Sequence, residues 1–374
     1  MQWLRGIFVN FDLSEDEEML KALAERFVAD RYDLERRRTY QATATGFCLE
    51  NWRLLAELGL IGAPFAVDDG GAGLDATAIA VVFEALGRGL VVEPLGENIL
   101  LAGRLFAATA GEALRDTWLG DVVAGRKRMA LAHFEEGARD DRLWVETSVA
   151  DEEGSVTLSG AKMAVAGAGG ADAFIVTARR GGEASDPDGV VLCLVEAAAP
   201  GLTIREWRSA DGVVMASLAL DHVSAQPLDG GLPALQAIAP MASLARTAEA
   251  VGIMRRMMDE TLGYLRTRQQ FGAPLGSFQA IQHRMAAQYA ALEQAGALVD
   301  LAVMSPGDEF AAAVDGARAF IADAAVTLGH EMIQFHGGMG VSDELSIGHA
   351  HKRLFFLSRW PESPDATLDR VAGV

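Results

Sequence analysis

Cysteine is almost missing from this 374-residue chain, which has only Cys48 and Cys193. The two lie far apart without paired spacing, which excludes a disulfide framework and a thiolate zinc site and suits a reducing compartment. Positive charge is scarce as well: 32 Lys and Arg face 52 Asp and Glu, for a formal charge of -20. Nucleic-acid and anionic-membrane binding both rest on clustered basic side chains, so neither is expected. Long hydrophobic runs are also lacking. No stretch approaches the roughly 18 apolar residues of a membrane span, and the opening "MQWLRGIFVNFDLSEDEE" has too short an apolar core for a signal peptide. A cytoplasmic location is therefore expected. No G-x-x-x-x-G-K-[ST] loop occurs, and no glycine patch follows a strand and opens a helix, so neither a P-loop nor a Rossmann site is supported. His349 and His351, two apart, lack metal-ligand spacing on a helix. Ser342 in "GMGVSDE" has no nucleophile elbow around it.

What the chain does have is a pattern that changes twice. Residues 1–125 read as a helical domain. "LSEDEEMLKALAERF" offers Ser14 as an N-cap with Glu17 three residues on, a capping box ahead of Leu20, Leu23 and Phe27. "ENWRLLAELGLIGAP" predicts a helix stopped by Gly59 and Gly62, and "DDGGAGLD" predicts a flexible turn. Residues 126–228 turn to short β-branched runs such as "RMALAHF", "DAFIVTAR" and "GVVLCLVE", separated by turns like "DEEG". That spacing predicts an antiparallel sandwich or barrel. Over 229–374 helices return, with Leu244, Ala248, Val251, Met258, Leu262 and Leu265 at three- and four-residue steps. Two more long helices are expected at about 279–304 and 309–335.

Two polar, glycine-bearing breaks interrupt this last block: "RTRQQFGAPLGSFQ" and "QFHGGMGVSDE". A plain helical hairpin needs glycine and proline, but not a cluster of arginine and glutamine. Glycines let a large ligand approach the backbone closely, and free N–H groups at a helix break bind phosphate oxygens. Arg268 adds a planar, permanently charged fork suited to pyrophosphate. Each break alone reads as a hairpin with a polar surface. Together, in a helix–strand–helix chain, they point to a dinucleotide.

The whole chain resembles the acyl-CoA dehydrogenase family. "LGLIGAPFAVDDGGAGLD" is similar to its N-terminal signature, "LSGAKMAVAGAGGADAFIVTAR" to its β-domain strand pair, and the two breaks to its C-terminal signatures. The resemblance implies an α+β fold: an N-terminal helical domain, a middle β-barrel or sandwich, and a C-terminal four-helix bundle. It implies FAD as cofactor, an acyl-CoA substrate and an electron-transfer flavoprotein as electron acceptor. By the same resemblance Arg268 and Gln279 reach the pyrophosphate and adenosine side of FAD held by a neighbouring subunit, with Gln270 in the same cluster. Phe271 would pack on that cofactor, and Gln334, Gly337 and Gly338 would receive its adenine–phosphate region. A site shared by two chains implies a homo-oligomer, or a hetero-oligomer with a second acyl-CoA dehydrogenase-like subunit.

The departures from the family pattern matter as much. Phe134-Glu135-Glu136 stands where the family reads T-E-P, and Ala164-Val165-Ala166 where it reads W-I-T. Phe134, Ala164 and Ala166 thus offer the flavin ring backbone groups alone. The general base is unidentified: Y-E-G-T corresponds to "FFLSRWPESPD", where Glu362 serves only after a one-residue shift. The alternative base position holds Ala242, with Glu249 two turns along. Losing a positioned base costs roughly 10²–10⁴ in rate. The pattern resembles the small-subunit type of heteromeric acyl-CoA dehydrogenases, as in pimeloyl-CoA and sterol side-chain enzymes. Three functions follow: α,β-dehydrogenation of an acyl-CoA, a non-catalytic subunit lending FAD contacts to a partner, or a flavin monooxygenase on the same fold. Leu95, Ile99, Leu100 and Met241 are the candidates for the acyl wall.

Overall fold

A computed structural model describes residues 12–152 and 155–373. The segment read as too short for a signal peptide lies mostly outside the described residues, as does half of the "DEEG" turn. The capping box forms: the Glu17 amide donates to the Ser14 hydroxyl at 3.3 Å and the Ser14 amide to the Glu17 carboxylate at 2.6 Å. It opens α1 (Glu15–Arg31), followed by α2 (Leu34–Ala42), α3 (Leu49–Glu57) and α4 (Ala76–Arg88). Gly59, at φ 80°, follows α3 at its stop. A wide π-helical stretch, Leu95–Gly103, runs into α5 (Arg104–Thr109), and two short turns, α6 (Glu112–Leu114) and α7 (Gly120–Val123), lead to the first strand.

The strands β1 (Met129–Ala132), β2 (Ser148–Glu152), β3 (Ser155–Ala166), β4 (Ala173–Arg179), β5 (Val190–Glu196), β6 (Leu202–Arg208), β7 (Val214–Ser224) and β8 (Gln226–Leu228) form one eight-stranded sheet. Its order is β6-β7-β3-β2-β4-β5-β8, with β1 lying parallel against β4. The other pairings are antiparallel, apart from a single parallel step between β2 and β4. The expected barrel or sandwich is realised as one sheet wrapped around its own core. Every residue of β4 is buried because both of its faces are covered. Phe174 and Val176 point into the sheet's core, whereas Ala173 and Ile175 join the helical core. Cys193 and Val195 of β5 alternate in the same way with Leu192 and Leu194.

The C-terminal part is built on α8 (Gly231–Thr267), α9 (Gln279–Met304), α10 (Gly307–His336) and α11 (Ser346–Arg359), closed by α12 (Pro364–Ala372). Between α8 and α9 sits a tiny hairpin, β9 (Gln269–Gln270) with β10 (Ala273–Pro274). Helices α4 and α8 touch through reciprocal glycines. A Cβ on Gly87 would lie 2.3 Å from the Glu249 carbonyl, and one on Gly252 2.1 Å from the Glu84 carbonyl. Any side chain there would force the helices apart. This contact fixes the N-terminal helices on α8, which also lines a cavity where the three parts meet. Among the described residues, no helix is long and apolar enough to cross a membrane.

Candidate functional site

A cavity of about 470 Å³ opens where the three parts meet. Its apolar wall comes from Leu101, Leu131, Leu143, Leu232 and Leu235, with the Phe134 and Trp360 rings. None of the residues expected to form an acyl wall lines this cavity. Ile99 and Leu100 are sealed in the core, Met241 is not on this wall, and Leu95 faces a separate 60 Å³ cavity. Pro240 also lines the large cavity. Lacking an N–H, it leaves the Gln236 carbonyl one turn earlier without its helical donor.

Carboxylates surround this cavity, and each is engaged. Glu362, 3 % exposed, is not on the wall itself but is bonded to Arg142 and Arg370, which are; it takes a two-pronged contact from Arg142 at 2.6 Å and 2.6 Å. It also accepts from Arg370 at 2.6 Å and 3.0 Å and from the Thr367 hydroxyl at 2.7 Å. Burial pushes its carboxyl up, but Arg370, Arg142 and Thr367 outweigh that and hold it down at about 2. Glu97 is clamped by Arg246 at 2.7 Å and 2.8 Å, which overcomes burial and lowers its pKa. Asp315 is held by Arg370 at 2.7 Å. Asp140 accepts from the Ser363 amide and hydroxyl, and Asp141 from the Leu143 amide and the Ser185 hydroxyl. Glu249 is absent from this wall. It lines the 60 Å³ cavity, where Arg353 grips it at 2.6 Å and 2.9 Å and also reaches Asp211.

The sheet side of the cavity is equally committed. Phe134 packs edge-on against Trp360, with centroids 5.2 Å apart, and Trp360 stacks on Phe356 at 6.0 Å. The Phe134 carbonyl is already taken by the Met163 amide at 2.8 Å. Ala164 lies at φ 52°, where the ladder between β3 and β7 breaks register, and Ala166 is buried beside Gly167 on the 60 Å³ cavity. Under Phe134 lies a buried polar knot. Lys162 donates to Glu135 at 2.5 Å, to Thr177 and to the His133 carbonyl. Burial presses Lys162 down to about 8 against the pull of Glu135, and burial with the Lys162 charge presses His133 to about 4. His133 is thus neutral at physiological pH. Its ring nitrogens contact Thr177 at 3.1 Å and the Arg142 carbonyl at 3.0 Å, which ties the strand end to the loop carrying Arg142.

At the far end of the bundle the two glycine breaks meet. Tyr264, in the last turn of α8, stacks on His336, which ends α10, with centroids 4.4 Å apart. Arg284, early in α9, pairs with Glu331 at 2.7 Å and lies over the Phe335 ring. Arg268 and the hairpin follow directly after the first of these contacts, and Gly337 and Gly338 directly after His336. The surface they present suits a nucleotide. Phe271 is 92 % exposed at the hairpin tip, and no ion pair engages the Arg268 guanidinium among the described residues. Gln270, Gln279 and Gln334 are exposed. Nothing lies within 4 Å of a Cβ built on Gly337 or Gly338, and Gly337 holds φ 60°, ψ -141°, a conformation confined to glycine. An anion and a flat ring fit this face, whereas the sheet side offers a flavin ring no side-chain donor at 134, 164 or 166.

Sequence reasoning missed Arg142, Arg246, Arg370 and Trp360. The loop "GARDDRL" stands out as unusual in the sequence, but nothing there assigns Arg142 a partner 220 residues away. Comparison with known proteins agrees with the architecture. Three family models match: the acyl-CoA dehydrogenase N-terminal domain over residues 14–126, the middle domain over 130–223 and the C-terminal domain over 229–358. The acyl-CoA dehydrogenase IpdE2 of Mycolicibacterium smegmatis is 27% identical over 345 residues, covering 91% of this chain and 93% of the relative. The human mitochondrial short-chain specific acyl-CoA dehydrogenase is 29% identical over 303 residues, covering 77% and 73%. A solved steroid acyl-CoA dehydrogenase variant, Tcur3481-Tcur3483, superposes with a TM-score of 0.86 at 28% identity, covering 96% of this chain and 97% of that one. The chain belongs to the acyl-CoA dehydrogenase family, FAD-dependent oxidoreductases that act on the CH–CH bond of acyl-CoA thioesters.

Proposed function

We propose that this chain is one subunit of a hetero-oligomeric FAD-dependent acyl-CoA dehydrogenase, and that a partner chain supplies the general base. The arginine clamp on Glu362 carries this reading. α,β-Dehydrogenation needs a carboxylate free to take the substrate's α-proton, and a carboxyl held at about 2 by two guanidinia is too weak a base for that. Glu249 is equally engaged, by Arg353, on a different cavity. FAD, when bound, supplies the acceptor for the β-hydride. This chain's own contribution is the exposed face of Arg268, Phe271, Gln279, Gln334, Gly337 and Gly338, which would complete a nucleotide site on the partner. The name of the Tcur3481-Tcur3483 steroid enzyme joins two components, which supports an assembly of unlike chains.

The 470 Å³ cavity joins its apolar wall to four carboxylates and three arginines and has room for a bulky acyl group, but with those carboxylates engaged the acyl group that is turned over would sit in the partner. The same steroid relative favours a ring-bearing one. An electron-transfer flavoprotein would reoxidise the cofactor, and the two free cysteines suit the cytoplasm. The test measures flavin absorbance and acyl-CoA-driven dye reduction for the chain alone and co-purified with a second acyl-CoA dehydrogenase-like chain. Turnover is expected in the complex only. Full flavin occupancy with turnover by the lone chain would sink the proposal.

A further inference from the structure

Trp360 also lines a second, far smaller cavity of about 20 Å³, with Arg246, Arg318, Thr247, Ser358 and Leu357 around it. No carboxylate is on its wall. Arg318 of α10 is 5 % exposed. Its Nη2 donates to the carbonyls of Glu362 at 2.7 Å and Trp360 at 3.2 Å, while its Nη1 has no partner among the described residues. Arg246 is committed to Glu97 through both of its bonding nitrogens. The surrounding network holds four guanidinia, Arg142, Arg246, Arg318 and Arg370, against three buried or half-buried carboxylates, Glu97, Glu362 and Asp315. Each of those carboxylates is held by an arginine other than Arg318. Arg318 alone is bonded only to carbonyl oxygens.

A guanidinium keeps its proton at neutral pH, so Arg318 is a buried cation that hydrogen-bonds no anion; Glu362 and Asp315 act on it only across space. A water would satisfy the Nη1 hydrogen, but it would bring no negative charge into contact with the guanidinium, which Glu362 and Asp315 reach only through space. An anion satisfies both. One particle of water size needs roughly 10–15 Å³ of such space, so this cavity admits one small ion and excludes a carboxylate or phosphate. We propose that the cavity between Arg246 and Arg318 binds a single halide-sized anion such as chloride, which steadies the guanidinium that holds segment 360–362 against α10. The site thereby stiffens one wall of the large cavity. It is independent of which chain carries the catalytic base.

The test is thermal unfolding of the purified chain, or of its complex, in sodium chloride against sodium gluconate at matched ionic strength. The melting temperature is expected to rise by about 2–5 °C in chloride and then saturate. Crystals grown in bromide should show an anomalous peak between Arg246 and Arg318. Arg318→Met removes the charge, and Ala322→Leu fills the space while leaving both arginines; each should abolish the chloride–gluconate difference. Ala322→Leu decides the matter where Arg318→Met does not fold. Identical melting in the two salts, a chloride effect that survives Ala322→Leu, or bromide crystals without that peak would each overturn the proposal.

Discussion

At the scale of single residues, Glu362 and Arg268 make opposite demands on the same reading. Glu362 sits in the stretch where the family carries a base, yet five donors from Arg142, Arg370 and Thr367 fill its two oxygens. Glu362→Gln in the two-chain complex should therefore change dye reduction at pH 7 by less than about threefold. Removal of a true base costs roughly 10²–10⁴, so steady-state kinetics separates the two cases. Arg268 is exposed and forms no ion pair among the described residues, so Arg268→Ala should leave stability within about 0.5 kcal/mol. Its loss should nonetheless weaken FAD retention by the complex at least roughly tenfold, since a hydrogen bond to a charged group is worth about 1.5–3 kcal/mol. Dialysis followed by flavin absorbance measures this. Unchanged retention would remove Arg268 from the nucleotide face.

At the scale of elements, the glycine turn after α10 allows a sharper contrast. Gly337 holds a backbone conformation that other residues avoid, while its neighbour Gly338 has ordinary φ and open space around it. Gly337→Ala should cost about 1–3 kcal/mol in chemical denaturation, and Gly338→Ala should cost nearly nothing; equal effects would contradict the geometry. The same turn shows what sequence can reveal. Local rules are legible: the Ser14–Glu17 capping box, the stop at Gly59, and the two breaks at 271–276 and 336–340 all follow from chemistry within a few residues. The doubly buried strand β4 is legible as a strand from "DAFIVTAR", but not as one shared by two cores. The cavity wall escapes sequence because helical periodicity identifies a buried face without telling core from cavity: Leu101 lines the cavity, whereas Leu100 beside it is sealed. The arginine clamps are out of reach, because Arg142–Glu362, Arg246–Glu97 and Arg353–Glu249 join residues more than a hundred positions apart.

Those clamps matter most at the scale of the whole molecule. Arg142 lies on the sheet's loop and Glu362 beyond α11; Arg246 is on α8 and Glu97 on the π-helical stretch. These two pairs each bridge two of the three parts, whereas Arg353–Glu249 lies within the C-terminal one, so the parts are joined by ionised carboxylates as well as by apolar packing. The pH consequence has a definite sign. Glu362 is depressed from 4.5 to about 2, so its contribution is fully present above the unfolded value and is lost as pH falls through the folded one. Glu97 and Glu135 are lowered too and act in the same direction. Stability should therefore start to fall below about pH 6.5, as unfolding lets His133 and His351, which the fold holds down at about 4, take up protons, and should fall further between pH 4.5 and about 2 as the carboxylates protonate. Glu362 alone should account for about 3 kcal/mol of that fall, since each tenfold change in proton affinity is worth about 1.4 kcal/mol. Urea unfolding across this range checks the sign and the size. Glu362→Gln should begin lower at pH 7 and lose its share of the acid limb, so that the two curves converge near pH 2. If the variant and the parent instead stayed parallel down to pH 2, the ion pairs would not be what joins the parts in solution.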